Sequence, residues 1–183
     1  MKDSAQWTEE GDYSPGQYKW ATNYTILPNG KEYFFMNYQK VPQAMKDLCS
    51  ETNEMLKKID ESKIDKHPLY IASNFHYKFT DIHPFADGNG RVGRIFTNLI
   101  LIKADYTPFI IKEEDRSNYI DQIIEARENN DPRILMKYFG EKLETALQNK
   151  LDYYKNEVQK SNKIGINPEE ENTKRNRGML LFL

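Results

Sequence analysis

Two hydrophobic periods divide the chain. Tyr24 and Ile26 alternate with polar neighbours, Pro28-Asn29-Gly30 follows, and Glu32 to Met36 is rich in aromatics. Asn-Gly between two such runs predicts a β-hairpin, because both residues tolerate positive φ. From Val41 onward the period is helical. Val41, Met45, Leu48, Thr52, Met55, Leu56 and Ile59 recur at helical spacing, and Pro42 suits a first turn. A second helix is predicted from Pro68 to about Phe79, through Leu69, Ala72, Phe75, His76 and Phe79. A third covers about Gly90 to Lys103 with Val92, Ile95, Phe96, Leu99, Ile100 and Ile102. So broad an apolar surface predicts the central helix of the domain. Tyr119, Ile120, Ile123 and Ile124 mark a fourth helix. Asp131-Pro132 begins a long fifth that carries Leu135, Tyr138, Phe139, Leu143, Leu147 and Leu151. The fold class is therefore mostly α, a helical bundle with one hairpin. Residues 1–15 are polar without a period and read as an arm. Residues 161–183 read as a mobile tail, polar through residue 178, with Gly, Pro and an acidic triplet. The domain lies between them, at 16–160.

A length of 183 residues and 21.6 kDa allows one domain with a sizeable core. The net charge of −2 argues against non-specific nucleic-acid binding, which needs a basic surface. Cys49 stands alone, which excludes an internal disulfide and a thiolate metal site and fits a reducing compartment. The start, MKDSAQWTEE, has no apolar stretch of the secretory kind. The longest apolar runs, Leu99 to Ile102 and Met179 to Leu183, are far too short to span a bilayer. A cytoplasmic location is expected.

Chemistry concentrates between the second and third predicted helices, in His83-Pro84-Phe85-Ala86-Asp87-Gly88-Asn89-Gly90-Arg91-Val92-Gly93-Arg94. Gly88-Asn89-Gly90 can adopt left-handed backbone just before a helix, so that several N–H groups converge on an anion. The helix N-terminus adds partial positive charge there. Arg91 and Arg94, three apart, share one face of the first turn. Asp87 is a hard oxygen ligand beside that nest, suited to Mg²⁺ bridging two phosphates. His83 lies upstream, where it can take a proton from a nucleophile. Phe85 anchors the loop. Each residue alone has an ordinary structural reading: Asp-Gly and Asn-Gly form turns, and arginines at helical spacing cover solvated faces. Their conjunction does not. The other two histidines carry no such pattern. His76 is expected to pack in the core, His67 to sit exposed at a helix start, and no pair has zinc-ligand spacing.

This segment resembles the Fic family signature, HxFx(D/E)GNGRxxR, at every defined position. Gly16-Gln17-Tyr18-Lys19 resembles the approach to that family's flap, with Lys where Arg is commoner, and the Asn29-Gly30 hairpin falls at the flap itself. Ala72, His76, Phe79 and Ile82 before the motif are similar to the family, as are Tyr106, Pro108, Ile110, Ile111, Asp115, Arg116 and Tyr119 after it. The resemblance covers roughly residues 16–147. It implies the Fic fold and a protein adenylyltransferase that moves AMP from ATP to a Ser, Thr or Tyr hydroxyl and releases pyrophosphate. It implies His83 as general base and Asp87 as the Mg²⁺ ligand. Gly88, Asn89 and Gly90 become the anion hole, with the Asn89 side chain on phosphate. Arg91 and Arg94 hold the β and γ phosphates, and Asn98 reaches the nucleoside. The target protein would add a strand along the hairpin flap. Alternatives are phosphate transfer of the Doc type in the same site, whose motif usually carries lysine where Gly90 stands, another phosphate-group transfer there such as that of the phosphocholine-transferring branch, and a nucleotide-binding module without catalysis, disfavoured by His83. The family's inhibitory helix, (S/T)xxxE(G/N), has no match: Ser50 has Glu54 but then Met55, and Thr173 to Gly178 places Arg177 where the glutamate belongs. Two guanidinium groups would repel there. No built-in brake is expected, so the chain would be either constitutively active or inhibited by a separate antitoxin or a missing N-terminal extension.

Overall fold

The computed structural model describes residues 16–27, 29–60 and 66–164; the arm at 1–15 and residues 165–183, including the Thr173 to Gly178 segment, lie outside them. Two short strands, β1 (Tyr24–Ile26) and β2 (Glu32–Phe34), pair antiparallel with Tyr24 opposite Phe34. Gly30 closes the turn at φ +79°, where its N–H donates to the Leu27 carbonyl at 2.8 Å. The helices are α1 (Val41–Asp60), α2 (Pro68–Ile82), α3 (Asn89–Lys103), α4 (Arg116–Glu128) and α5 (Arg133–Ile164). The mostly α architecture with a single hairpin is as the periodicity predicts. No helix among the described residues is long and apolar enough to cross a membrane.

Compact packing divides the chain between Leu143 and Glu144. The first unit holds the hairpin, α1 to α4 and the start of α5, where Leu135, Tyr138, Phe139 and Leu143 are buried. The described part of the second unit is the remainder of α5, with Leu147 and Leu151 exposed.

The central helix is α2, not α3. It begins with a matched cap: His67 accepts the Leu69 N–H through Nδ1, and Pro68 fills the first turn. From Leu69 to Ile82 most side chains are buried, including Ile71, Ala72, Phe75 and Phe79, and α1, α3 and α4 all pack against it. Helix α3 buries only Asn89, Gly93, Thr97, Ile100 and Leu101, while Ile95, Phe96, Leu99 and Ile102 stay 43–58% exposed. The reason is close approach. A Cβ on Gly93 would stand 3.2 Å from His76 Cε1, so α3 faces α2 with its smallest residue. An apolar count misses a contact face built from Gly and Thr.

His76 is fully buried at that contact, as expected of a core residue. Thr97 donates its hydroxyl to the Gly93 carbonyl at 2.8 Å, so His76 Nδ1 carries the proton and donates to Thr97 Oγ1 at 2.8 Å. Its Nε2 then accepts from the Tyr119 hydroxyl at 2.7 Å. Burial, with Arg94 adding to it, lowers the His76 pKa from 6.5 to about 3. The unfolded chain therefore binds a proton below pH 6.5 that the folded chain refuses, and stability present above that pH is lost as pH falls toward 3. At pH 5 the loss from this imidazole is about 2 kcal/mol. Denaturant midpoints at pH 7.5 and 5 for the wild type and His76→Asn check this. The variant should lose less on acidification, and an equal loss would mean His76 is not held neutral.

Candidate active site

The site forms where α2 ends. Pro84 has no N–H and crowds the residue before it, so α2 cannot continue. His83 takes up the reversal in the left-handed region, φ 50° and ψ 62°, while its N–H still closes the last turn on the Phe79 carbonyl at 2.9 Å. Pro84 is fully buried and its carbonyl accepts the Lys19 N–H at 2.8 Å. The half-buried imidazole lies flat on Phe35, ring centres 3.7 Å apart and planes 18° apart. Nδ1 is 3.4 Å from the Thr80 carbonyl, which can only accept, so Nδ1 bears the proton and Nε2 is left as acceptor. Burial lowers the His83 pKa to about 3, and the nearby Lys19 and Arg127 cations push in the same direction. His83 is a neutral imidazole at pH 7 with a free lone pair.

Lys19 and Arg127 also answer a local need. The last carbonyls of a helix have no partners within it. Lys19 Nζ donates to the Ile82 carbonyl at 3.2 Å and to Asn23 Oδ1 at 2.8 Å. Arg127 Nη2 donates to the Thr80 carbonyl at 2.8 Å. Burial lowers the Lys19 pKa to about 8, with Asp81 opposing that shift.

From Phe85 to Gly88 the chain turns toward α3. The Asn89 carboxamide accepts the Phe85 N–H and donates to the Phe85 carbonyl, both at 2.8 Å. Both of its polar atoms are thereby engaged, and the side chain is 2% exposed. Asn89 braces the loop here through the Phe85 backbone. Gly88, at φ +80°, opens α3 without a side-chain cap, and no acidic residue follows in the first turn. The first N–H groups of α3 remain available to an anion. Arg91 is exposed and pairs with Asp87 at 3.2 Å. Arg94 lies with its guanidinium 5.5 Å from the centre of the Tyr119 ring. A Cβ on Gly90 would stand 3.4 Å from Arg94 Nη1, an ordinary contact with the end of a flexible side chain.

His83, Asp87, Gly88, Gly90, Arg91 and Arg94 thus share one end of α3. Asn98 does not join them. Its carboxamide donates to the Phe109 carbonyl at 2.9 Å and accepts the Phe109 N–H at 3.1 Å, fastening the segment after α3. Among the described residues no three His, Cys, Asp or Glu gather into a metal site. One exposed carboxylate, Asp87, suits Mg²⁺, which keeps several waters and completes its shell with substrate phosphates. Arg127, Phe35, Asp81 and Thr80 escaped the sequence reading. Phe35 and Arg127 reach His83 only through tertiary packing, whereas Thr80 and Asp81 sit in the last turn of α2 just before it and carry no motif of their own.

Residues 4–101 match the model of the Fic/DOC family. Over 81 residues, 44% of this chain, it is 40% identical to the protein adenylyltransferase Fic of Aedes aegypti. Over 90 residues, 47% of the chain, it is 40% identical to the protein of the same name from Nematostella vectensis. These matches span only 16% and 20% of the two relatives. Among solved structures, a Fic-domain-containing signalling protein from Bacteroides thetaiotaomicron superposes with a TM-score of 0.66 at 26% identity, covering 73% of this chain and 53% of that one. Fic-1 of C. elegans gives 0.53 at 30% identity, covering 62% and 32%.

The bracing role of Asn89 has a direct test. Asn89→Ala leaves the Phe85 N–H and carbonyl without partners and should cost about 1–3 kcal/mol of stability. Amide hydrogen exchange at Phe85, measured without nucleotide, should accelerate in the variant. Unchanged exchange would return Asn89 to a role toward ligand alone.

Proposed function

We infer, for a chain that belongs to the Fic/DOC family, that it transfers AMP from ATP to a Ser, Thr or Tyr hydroxyl of a target protein and releases pyrophosphate. The observation that carries this reading is the neutral His83, its Nδ1 directed to the Thr80 carbonyl and its Nε2 free, beside an uncapped helix start that bears Arg91 and Arg94. The name protein adenylyltransferase, borne by the relatives from Aedes aegypti and Nematostella vectensis, supports it.

In this reading Nε2 accepts the proton of the target hydroxyl. The freed oxygen attacks the α phosphorus, the bond from that phosphorus to the bridging oxygen breaks, and pyrophosphate departs with the electron pair. The α3 N–H groups and the guanidinium groups of Arg91 and Arg94 hold the β and γ phosphates. Bound Mg²⁺ would offset phosphate charge, held by Asp87 once that carboxylate leaves Arg91. The hairpin offers a two-stranded sheet among the described residues, and an extended target segment would add to its edge. Nothing in this scheme requires Asn98 to touch the nucleoside. A cytoplasmic setting and control by a separate antitoxin accompany the proposal.

Labelled ATP tests it. Protein incubated with a cell lysate and Mg²⁺ should place label from α-labelled ATP on a target and none from γ-labelled ATP. Label from the γ position alone would establish phosphate transfer of the Doc type, and no label would establish a binding module. His83→Ala should slow transfer about 10²–10⁴-fold with ATP affinity nearly intact. Asp87→Ala should abolish the enhancement of ATP binding by Mg²⁺, and equal enhancement in both proteins would refute its role.

A further inference from the structure

The space between the hairpin and α4 is not solid. Leu27, Tyr33, Tyr77, Asp81, Arg127 and Asn130 line a cavity of about 350 Å³ there. Polar contacts, not apolar packing, hold these elements at the proper distance, and they converge on one residue. The Arg127 side chain is 11% exposed. Its guanidinium centre stands 4.5 Å from the Tyr33 ring and 5.2 Å from the Phe35 ring. Nε lies 3.3 Å from Asp81 Oδ1, the same oxygen that receives the Tyr33 hydroxyl. Nη2 donates to the Thr80 carbonyl, which is also the partner of His83 Nδ1. On its other side Phe35 stacks against His83.

We propose that Arg127 is a positioning residue: through Thr80, Phe35 and the Asp81–Tyr33 pair it fixes the orientation and neutral state of His83 and ties that base to the hairpin. The proposal rests on the reading of His83 as the general base. Arg127 touches no reacting atom in this scheme. It fixes the carbonyl that sets the His83 tautomer, and it sets the ring on which the imidazole lies. The charged groups facing this cluster and its cavity are Lys19 from the segment before β1, Asp81 from α2, and Arg127 and Glu128 from α4; Tyr33 of β2 contributes a phenol whose pKa burial and Asp81 raise to about 12. Two cations beside the imidazole disfavour its protonation, and removing one must ease it.

A mere fastener between α4 and α2 would behave differently, and the ring nitrogens of His83 report the difference. Their ¹⁵N shifts can be followed from pH 7.5 to 4, with His67 and His76 as the remaining histidine signals. Wild-type His83 should stay neutral with the proton on Nδ1. Arg127→Met should raise the His83 midpoint by about one pH unit or more. Asp81→Asn also breaks the Asp81–Arg127 pair but leaves the cation, and it should produce no rise. Equal rises in both variants would show simple loosening and overturn the proposal, as would no rise in either.

Arg127→Lys keeps the charge without the planar fork, and it serves should the Met variant fail to fold. His83 should remain neutral in it. Transfer to protein should fall on the order of 10- to 100-fold, because a misplaced base suffices for that. ATP affinity should stay within about twofold, since Arg127 is not among the phosphate-binding residues. Equal loss of ATP affinity and transfer would overturn the proposal. Full transfer by His83→Ala would instead remove the reading on which it rests, so the two failures are distinguishable.

Discussion

A helix that ends inside a protein leaves carbonyl oxygens where water cannot serve them, and that constraint organises this domain. The last turn of α2 meets it with two cations. Lys19 reaches the Ile82 carbonyl from the segment before the hairpin, and Arg127 reaches the Thr80 carbonyl from α4. Each donor comes from a different part of the chain, so satisfying the helix end also docks the hairpin and α4 onto α2. Burial keeps His83 deprotonated, and the charge of these two side chains adds to it. Stability and chemistry share the same two side chains, with the helix dipole favouring positive charge at that end.

The distribution of charge follows. The chain as a whole is close to neutral, yet the surroundings of the His83–Gly90 loop are cationic: Lys19, Arg91, Arg94 and Arg127, against Asp81 and Asp87. Both carboxylates are engaged by an arginine. An overall balance near zero thus conceals a site suited to a polyphosphate. Tyr119 bears on both halves of this arrangement, because its hydroxyl holds His76 in the core and its ring lies under Arg94.

Much of this was legible in the sequence, and the failures have causes. The hairpin was announced by Asn29-Gly30, and the helices by their period, because turns and amphipathic faces are local properties. The loop was legible because its glycines and arginines fall within a few residues of each other. Helix α3 was misplaced at the centre because its contact with α2 runs through Gly93 and Thr97, which hydropathy does not weigh. Asn89 and Asn98 were read as reaching outward. A carboxamide matches a peptide group in both donor and acceptor, and both residues found backbone partners within the protein. Arg127 had no signal at all, since it lies 44 positions along from His83 and meets it only in three dimensions.

The left-handed backbone at His83 has a further consequence. A residue with a Cβ held at φ 50° costs on the order of 1–2 kcal/mol relative to an unstrained conformation, and glycine would escape much of that cost. Selection for thermal endurance alone would therefore drift away from histidine at this position. In the proposed reaction the imidazole is indispensable, so position 83 would set endurance directly against function.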